Sequence, residues 1–236
     1  MSIKAVLFDL DGSLLPMDQD EFIKAYFTHL SGRMVKYGYN PEELVKTIWT
    51  GTKYMMKNDG SCSNEDVFWQ AFSQTYGEKY LKDRDVFDDY YYNEFLKVKD
   101  VCGYNPMASK AVNLIKDAGY RVVLATQPIF PSIATEHRTR WAGLDVSDFE
   151  FFTAFENIGY CKPNPKNYEE ICNRLGVSPC ECLMVGNDTG DDMVASTLGM
   201  QVFLLTDCLI NQIGEDIEEY NRGTFEELLE YLNIKM

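Results

Sequence analysis

After Pro106 the chain alternates short apolar runs with helical stretches, and no other feature of the sequence restricts the fold as strongly. Ser109–Ala118 reads as a helix that stops at Gly119, a residue suited to closing a helix. Strands are predicted over 121–125, 149–154, 182–185 and 201–205, with helices over 131–141, from Asn164-Pro165 to near Gly176, and over 190–198. Thr224-Phe225-Glu226-Glu227 is a capping box for a last helix. Strands separated by helices pair in parallel through right-handed crossovers, so this region predicts an open α/β sheet covered on both faces. Residues 2–8, a nearly continuous apolar run, have the character of a central strand in the same sheet.

Between these two parts the texture changes. From Pro16 to Tyr104 the pattern is helical and carries 18 of the chain's 32 aromatic residues. Asn40-Pro41-Glu42-Glu43 and Asn64-Glu65-Asp66 are helix starts, and 84–100 reads as a further helix. The expected organisation is therefore a core of residues 1–15 and 105–236, with residues 16–104 inserted as a helical unit after the first strand. Most of its rings are expected to pack the insertion and its interface with the core. A few, in Asp18–Tyr26 or around Trp49 and Tyr54, are expected to line a substrate pocket.

Charge narrows the partners. With 22 Lys and Arg against 37 Asp and Glu, the net charge is −15, which disfavours nucleic acid and anionic membrane surfaces. No apolar run approaches the roughly 18–20 residues that span a bilayer. The N-terminal apolar run meets Asp9 too early for a signal peptide, so a cytoplasmic protein is expected. The seven cysteines include Cys180-Glu181-Cys182 but no second pair at metal-site spacing, and reduced thiols are expected. His29 and His137 stand alone in the sequence and are read as structural.

In sheets of this kind ligands bind beyond the carboxyl ends of the strands. The first strand ends in Asp9-Leu10-Asp11-Gly12, two carboxylates that raise each other's pKa unless a cation neutralises them. The second ends in Thr126-Gln127, and the third is followed by Lys162 held before Pro163. The fourth runs into Gly186-Asn187-Asp188-Thr189-Gly190-Asp191-Asp192. Each has an ordinary reading alone: an Asp-Gly turn, a strand-ending Thr, a solvated Lys, charges compensating a helix N-terminus. In sequence they offer carboxylates for a hard divalent cation, then a hydroxyl and an ammonium for phosphoryl oxygens.

On these residues the sequence resembles the haloacid dehalogenase superfamily. Its four motifs correspond to Phe8–Leu14, Leu124–Thr126, Lys162-Pro163 and Val185–Asp192, and the resemblance spans the whole core. Ser13 stands where Thr is usual, and Gln127 where many relatives carry Asn. The resemblance implies a Rossmann-like parallel core with an inserted helical cap of the first type, as in phosphoglycolate phosphatase-like members. It implies Asp9 as nucleophile, Asp11 as acid and base, and Thr126, Gln127 and Lys162 at the phosphate. Mg2+ would be held by Asp9, the Asp11 backbone carbonyl and Asp188, with Asn187 as the other possible register. Asp192, one helical turn after Asp188, would hold a metal-bound water or orient Lys162, while Asp191 would point elsewhere as a solvated or dipole-compensating charge. The implied activity is Mg2+-dependent hydrolysis of a small phosphorylated metabolite through an aspartyl-phosphate. A phosphomutase and a non-catalytic phospho-ligand binding protein are the alternatives. Asp11 argues against a haloalkanoate dehalogenase, whose leaving halide needs no proton.

Overall fold

The computed structural model describes residues 2–212 and 214–236; Met1, the first residue of the expected core, lies outside them. Five parallel strands form one sheet: β1 (Ala5–Phe8), β2 (Arg121–Leu124), β3 (Cys182–Gly186), β4 (Gln201–Leu205) and β5 (Asn221–Gly223), in the order β2-β1-β3-β4-β5. β1 lies between two neighbours and is buried throughout, which is why its sequence is apolar on both faces. Val6 and Phe8 pack towards α5 (Pro106–Asp117) and α8 (Phe225–Tyr231), while Ala5 and Leu7 pack towards α7 (Pro165–Leu175). The result is a three-layer core.

The residues between β1 and α5 fold as α1 (Gln19–Met34), α2 (Pro41–Met55), α3 (Asn64–Tyr76), α4 (Glu78–Tyr92) and a 3-10 stretch over Glu94–Val101. Asp18, Asn40 and Ser63 cap the first three helices with side-chain oxygens. Their rings pack edge-on in an aromatic core, as in Phe72 against Phe87 at 5.4 Å and 84°. The chain leaves the core at Pro16-Met17 and returns beside itself at Cys102-Gly103. Met17 and Cys102 form an antiparallel bridge, and the Gly103 N–H donates to the Pro16 carbonyl at 2.7 Å.

Four local expectations are corrected. Residues 149–154 are not a regular strand: beside the edge strand β2 they make one bridge, Leu124 to Phe152, with backbone hydrogen bonds to Val122 and Leu124. Beyond that bridge the Asn157 side chain donates to the Phe152 carbonyl and accepts the Ala154 N–H, at 3.0 Å each. The helix expected over 84–100 starts earlier, at Glu78, and breaks at Asn93, whose amide donates to the Asp89 carbonyl at 2.9 Å and competes with the helix backbone. The helix expected over 190–198 is a 3-10 segment confined to Met193–Leu198, because Asp188 Oδ1 captures the N–H groups of Gly190 and Asp191 at 2.7 and 3.0 Å. β5 was not expected, since Asn-Arg-Gly carries no apolar pattern; its pairing with β4 makes it a strand. Among the described residues, no helix is long and apolar enough to cross a membrane.

Candidate active site

The strand register decides which residues meet. Phe8 lies level with Leu124 and with Val185, so the chain beyond each strand emerges at the same edge of the sheet. Asp9 extends the ladder by one bond, its N–H donating to the Val185 carbonyl at 2.9 Å, which fixes the backbone of the expected nucleophile.

Lys162 is fully buried and joins two carboxylates, donating from Nζ to Asp9 Oδ1 at 2.8 Å and to Asp192 Oδ1 at 2.7 Å. Burial alone favours the neutral amine, but Asp192 and Asp9 outweigh it and hold the Lys162 pKa well above the ordinary lysine value. Burial likewise pushes the Asp192 carboxyl upward, against the pull of Lys162. Asp192 fits only because Gly186 has no Cβ: one added there would collide with the Asp192 carboxylate. Asp192 Oδ2 also accepts the Asp188 N–H at 3.0 Å. Of the two roles expected for Asp192, orienting Lys162 is the one matched by these contacts.

Gln127 fastens the loop that carries Lys162. Its Oε1 accepts the Lys162 N–H, and its Nε2 donates to the Lys162 carbonyl and to Asp191 Oδ2, each at 3.0 Å. Asp191 is therefore not turned into solvent as expected. It is half-buried, lines the same cavity as Asp9 and Asp188, and burial raises its pKa. Periodicity misleads here, because the chain between 188 and 192 is a carboxylate-held turn and not a helix.

Thr126 is fully buried, and its hydroxyl has no hydrogen-bond partner among the described residues. An unsatisfied buried hydroxyl costs free energy; the resemblance gives it a phosphate-binding role, yet Thr126 does not line the cavity that Asp9, Lys162 and Gln127 share. Ser13 faces away from that role: its Oγ donates to Asn187 Oδ1 at 2.8 Å, while Asn187 Nδ2 donates to the Cys208 carbonyl at 2.6 Å. Both ends of the Asn187 amide are thus occupied in tying loops together.

One partner in the site was not anticipated. Arg138, on α6 (Ser132–Trp141), is fully buried and donates from Nη1 to Asp11 Oδ2. Its Nη2 reaches Thr135 Oγ1 and its Nε the Ala134 carbonyl, both at 3.2 Å, and its guanidinium lies over Phe130 at 4.6 Å. Asp11 keeps a fifth of its side-chain exposure, and its Oδ1 is buried without a hydrogen-bond partner among the described residues. Burial raises the Asp11 pKa, and Arg138 restrains that rise. The available signal was an arginine among Ala134, Thr135, Thr139 and Trp141, the buried face of the helix.

Above these groups opens a cavity of about 540 Å3, lined by Asp9, Asp11, Lys162, Asp188 and Asp191 at one end and by rings of the inserted helices at the other. Phe22, Tyr26 and Trp49 are among those rings; Tyr54 is exposed elsewhere. Among the described residues, no three His, Cys, Asp or Glu side chains form a metal cluster by themselves. A hard cation would need a mixed set of carboxylate, backbone carbonyl and water. That suits Mg2+, which keeps several of its waters when bound, and the carboxylates of Asp9 and Asp188 in one cavity are donors of the right kind.

The family profile described as haloacid dehalogenase-like hydrolase matches residues 3–196. The chain belongs to this hydrolase family. The Bacillus subtilis protein YhcW is 28% identical over 100 residues, 42% of this chain and 44% of that protein. A phosphoglycolate phosphatase of Colwellia psychrerythraea is 24% identical over 230 residues, 96% of this chain and 95% of that protein. The crystal structure of 2-haloacid dehalogenase from Pseudomonas syringae superposes with a TM-score of 0.65 at 19% identity, covering 98% of each chain. That likeness establishes the haloacid dehalogenase fold, an α/β core with accompanying helices, for this family member.

Proposed function

We propose that this haloacid dehalogenase-like hydrolase is a Mg2+-dependent phosphatase acting on a small phosphate monoester through an aspartyl-phosphate. The observation that carries the reading is the recess at the end of β1. There the Asp9 carboxylate and the Lys162 ammonium, 2.8 Å apart, line one cavity with Asp11 and Asp188. An anionic nucleophile approaches an anionic phosphate only where fixed positive charge and hydrogen-bond donors receive the phosphoryl oxygens.

Lys162 holds Asp9 Oδ1, which leaves Oδ2 to attack phosphorus as the ester oxygen departs. Asp11 gives its proton to that oxygen and then removes one from the water that hydrolyses the acyl phosphate, restoring Asp9. Arg138 holds Asp11 through Oδ2 and so positions the carboxyl that carries the proton. Thr126 and Lys162 receive the phosphoryl oxygens, Gln127 holds the Lys162 backbone and Asp192 orients its ammonium. Mg2+, held by Asp9, the Asp11 carbonyl and Asp188, would neutralise phosphoryl charge when bound. Residues 16–104 act as a cap over the core formed by 1–15 and 105–236, excluding water as they close.

Retention of Asp11 favours a phosphatase over a dehalogenase, because an alkoxide needs a proton and a halide does not. Phosphate release from p-nitrophenyl phosphate with Mg2+ tests the reading. Turnover by the parent and its loss in Asp9→Asn are expected; equal turnover by both would refute it.

A further inference from the structure

Resting on the phosphatase reading, we infer that the alcohol released from phosphate is a bulky, ring-bearing apolar group carrying no second anion. Two observations about the cavity lead there. The first is its wall. Away from the strand ends it is made by rings, Phe22, Phe27, Trp49, Phe68 and Phe130 among them, and its volume of about 540 Å3 falls in the range that holds drug-sized ligands. A phosphate on a two-carbon acid would leave most of that space unfilled. Trp49 and Met56 line it while each remaining 40% exposed, and a seated apolar group would cover such surface.

The second observation is charge. The lining cations are Lys162, already held by two carboxylates, and Lys53, which is exposed. Against them stand Asp9, Asp11, Asp88, Asp188, Asp191 and Asp192. A substrate with a carboxylate or a second phosphate would bring another negative charge into a low-dielectric space with no free buried cation among the described residues that line it, which is unfavourable. Shape and charge therefore select the same chemical class: the phosphate end sits at the strand ends and the ring lies among rings.

The test is a substrate series with the full chain and saturating Mg2+: 1-naphthyl phosphate, phenyl phosphate, phosphoglycolate and pyrophosphate, each followed by phosphate release. The two aryl esters have leaving groups of similar acidity, so their ratio reports the pocket. We expect kcat/KM for the naphthyl ester to exceed that for the phenyl ester by about tenfold from added apolar burial. Both should exceed phosphoglycolate and pyrophosphate. Trp49→Ala, a substitution at an exposed position, should bring the naphthyl-to-phenyl ratio down towards one. Calorimetric binding of the same compounds to Asp9→Asn should give the same order without turnover. Phosphoglycolate or pyrophosphate turned over as well as the naphthyl ester, or a ratio unmoved by Trp49→Ala, would overturn the inference while leaving the phosphatase intact. No phosphate release from any of the four would overturn the phosphatase reading and the inference with it.

Discussion

Replacing Lys162 with Met removes the charge from a long side chain of similar size and leaves two carboxylates facing the space it occupied. Nζ is within 2.8 Å of Asp9 Oδ1 and 2.7 Å of Asp192 Oδ1, and the Lys162 and Asp192 side chains are each only 1% exposed. Removing one partner of a buried pair costs about 3–5 kcal/mol, since the remaining charge is neither solvated nor neutralised. At the size of this chain that corresponds to a loss of roughly 6–20 °C in melting temperature. The loss should depend on pH. Without Lys162, the folded state retains a proton on Asp192, whose carboxyl burial already pushes upward, that the unfolded chain releases above about pH 4. The folded state then binds more protons, so the variant's stability falls as pH rises from about 4 to 8, more steeply than the parent's. In the parent, the raised Lys162 pKa keeps the amine charged across this window, and its contribution is lost only as pH rises through that folded value. Urea denaturation of the parent, Lys162→Met and Lys162→Met/Asp192→Asn at two pH values checks both points. The double variant should recover at least about 1 kcal/mol, because the amide removes one of the uncompensated charges. A cost below about 1 kcal/mol for Lys162→Met, or no recovery in the double variant, would refute the electrostatic reasoning.

Thr126→Val removes a hydroxyl that bonds to nothing in the free protein, so melting temperature should hold while turnover falls by about 10²–10³; a large loss of stability would contradict a role reserved for bound phosphate. Arg138→Met should cost about 2–3 kcal/mol by denaturation, less than full burial would predict because Asp11 retains partial exposure. Its kcat/KM should fall more for alkyl than for p-nitrophenyl esters, as a mispositioned proton donor matters most for poor leaving groups. Asp188→Ala should raise the Mg2+ concentration for half-maximal activity by about tenfold or more, with a smaller rise for Asp191→Ala, whose Oδ2 is engaged by Gln127. The reverse order in a Mg2+ titration would assign the direct ligand to Asp191.

Strands β1 to β4 were legible because each is a short apolar run of the kind that a parallel sheet buries on both faces. Asp9, Lys162 and Asp192 were legible for a related reason: parallel strands of matched register end together, so polar residues just beyond them share one place. What escaped depends on contacts across the chain or on side chains that compete with the backbone. Arg138 meets Asp11 over a separation of 127 residues, and nothing local marks it except a charge on a buried helix face. Asp191 was misdirected by a helical periodicity that the turn made by Asp188 cancels. The 149–154 segment had strand character, yet its pairing with β2 stops at one bridge, Leu124 to Phe152. Gln127 was read as a phosphate contact, whereas its two amide ends fasten the Lys162 loop and Asp191.

The covalent role of Asp9 is the centre of this account, and rapid acid quench during turnover of a phosphate monoester examines it directly. Peptide mapping by mass spectrometry should find one phosphoryl group on the N-terminal peptide, assigned to Asp9 and absent from Asp9→Asn. Steady turnover with no such adduct at any quench time, or a phosphoryl group on a different residue, would contradict it.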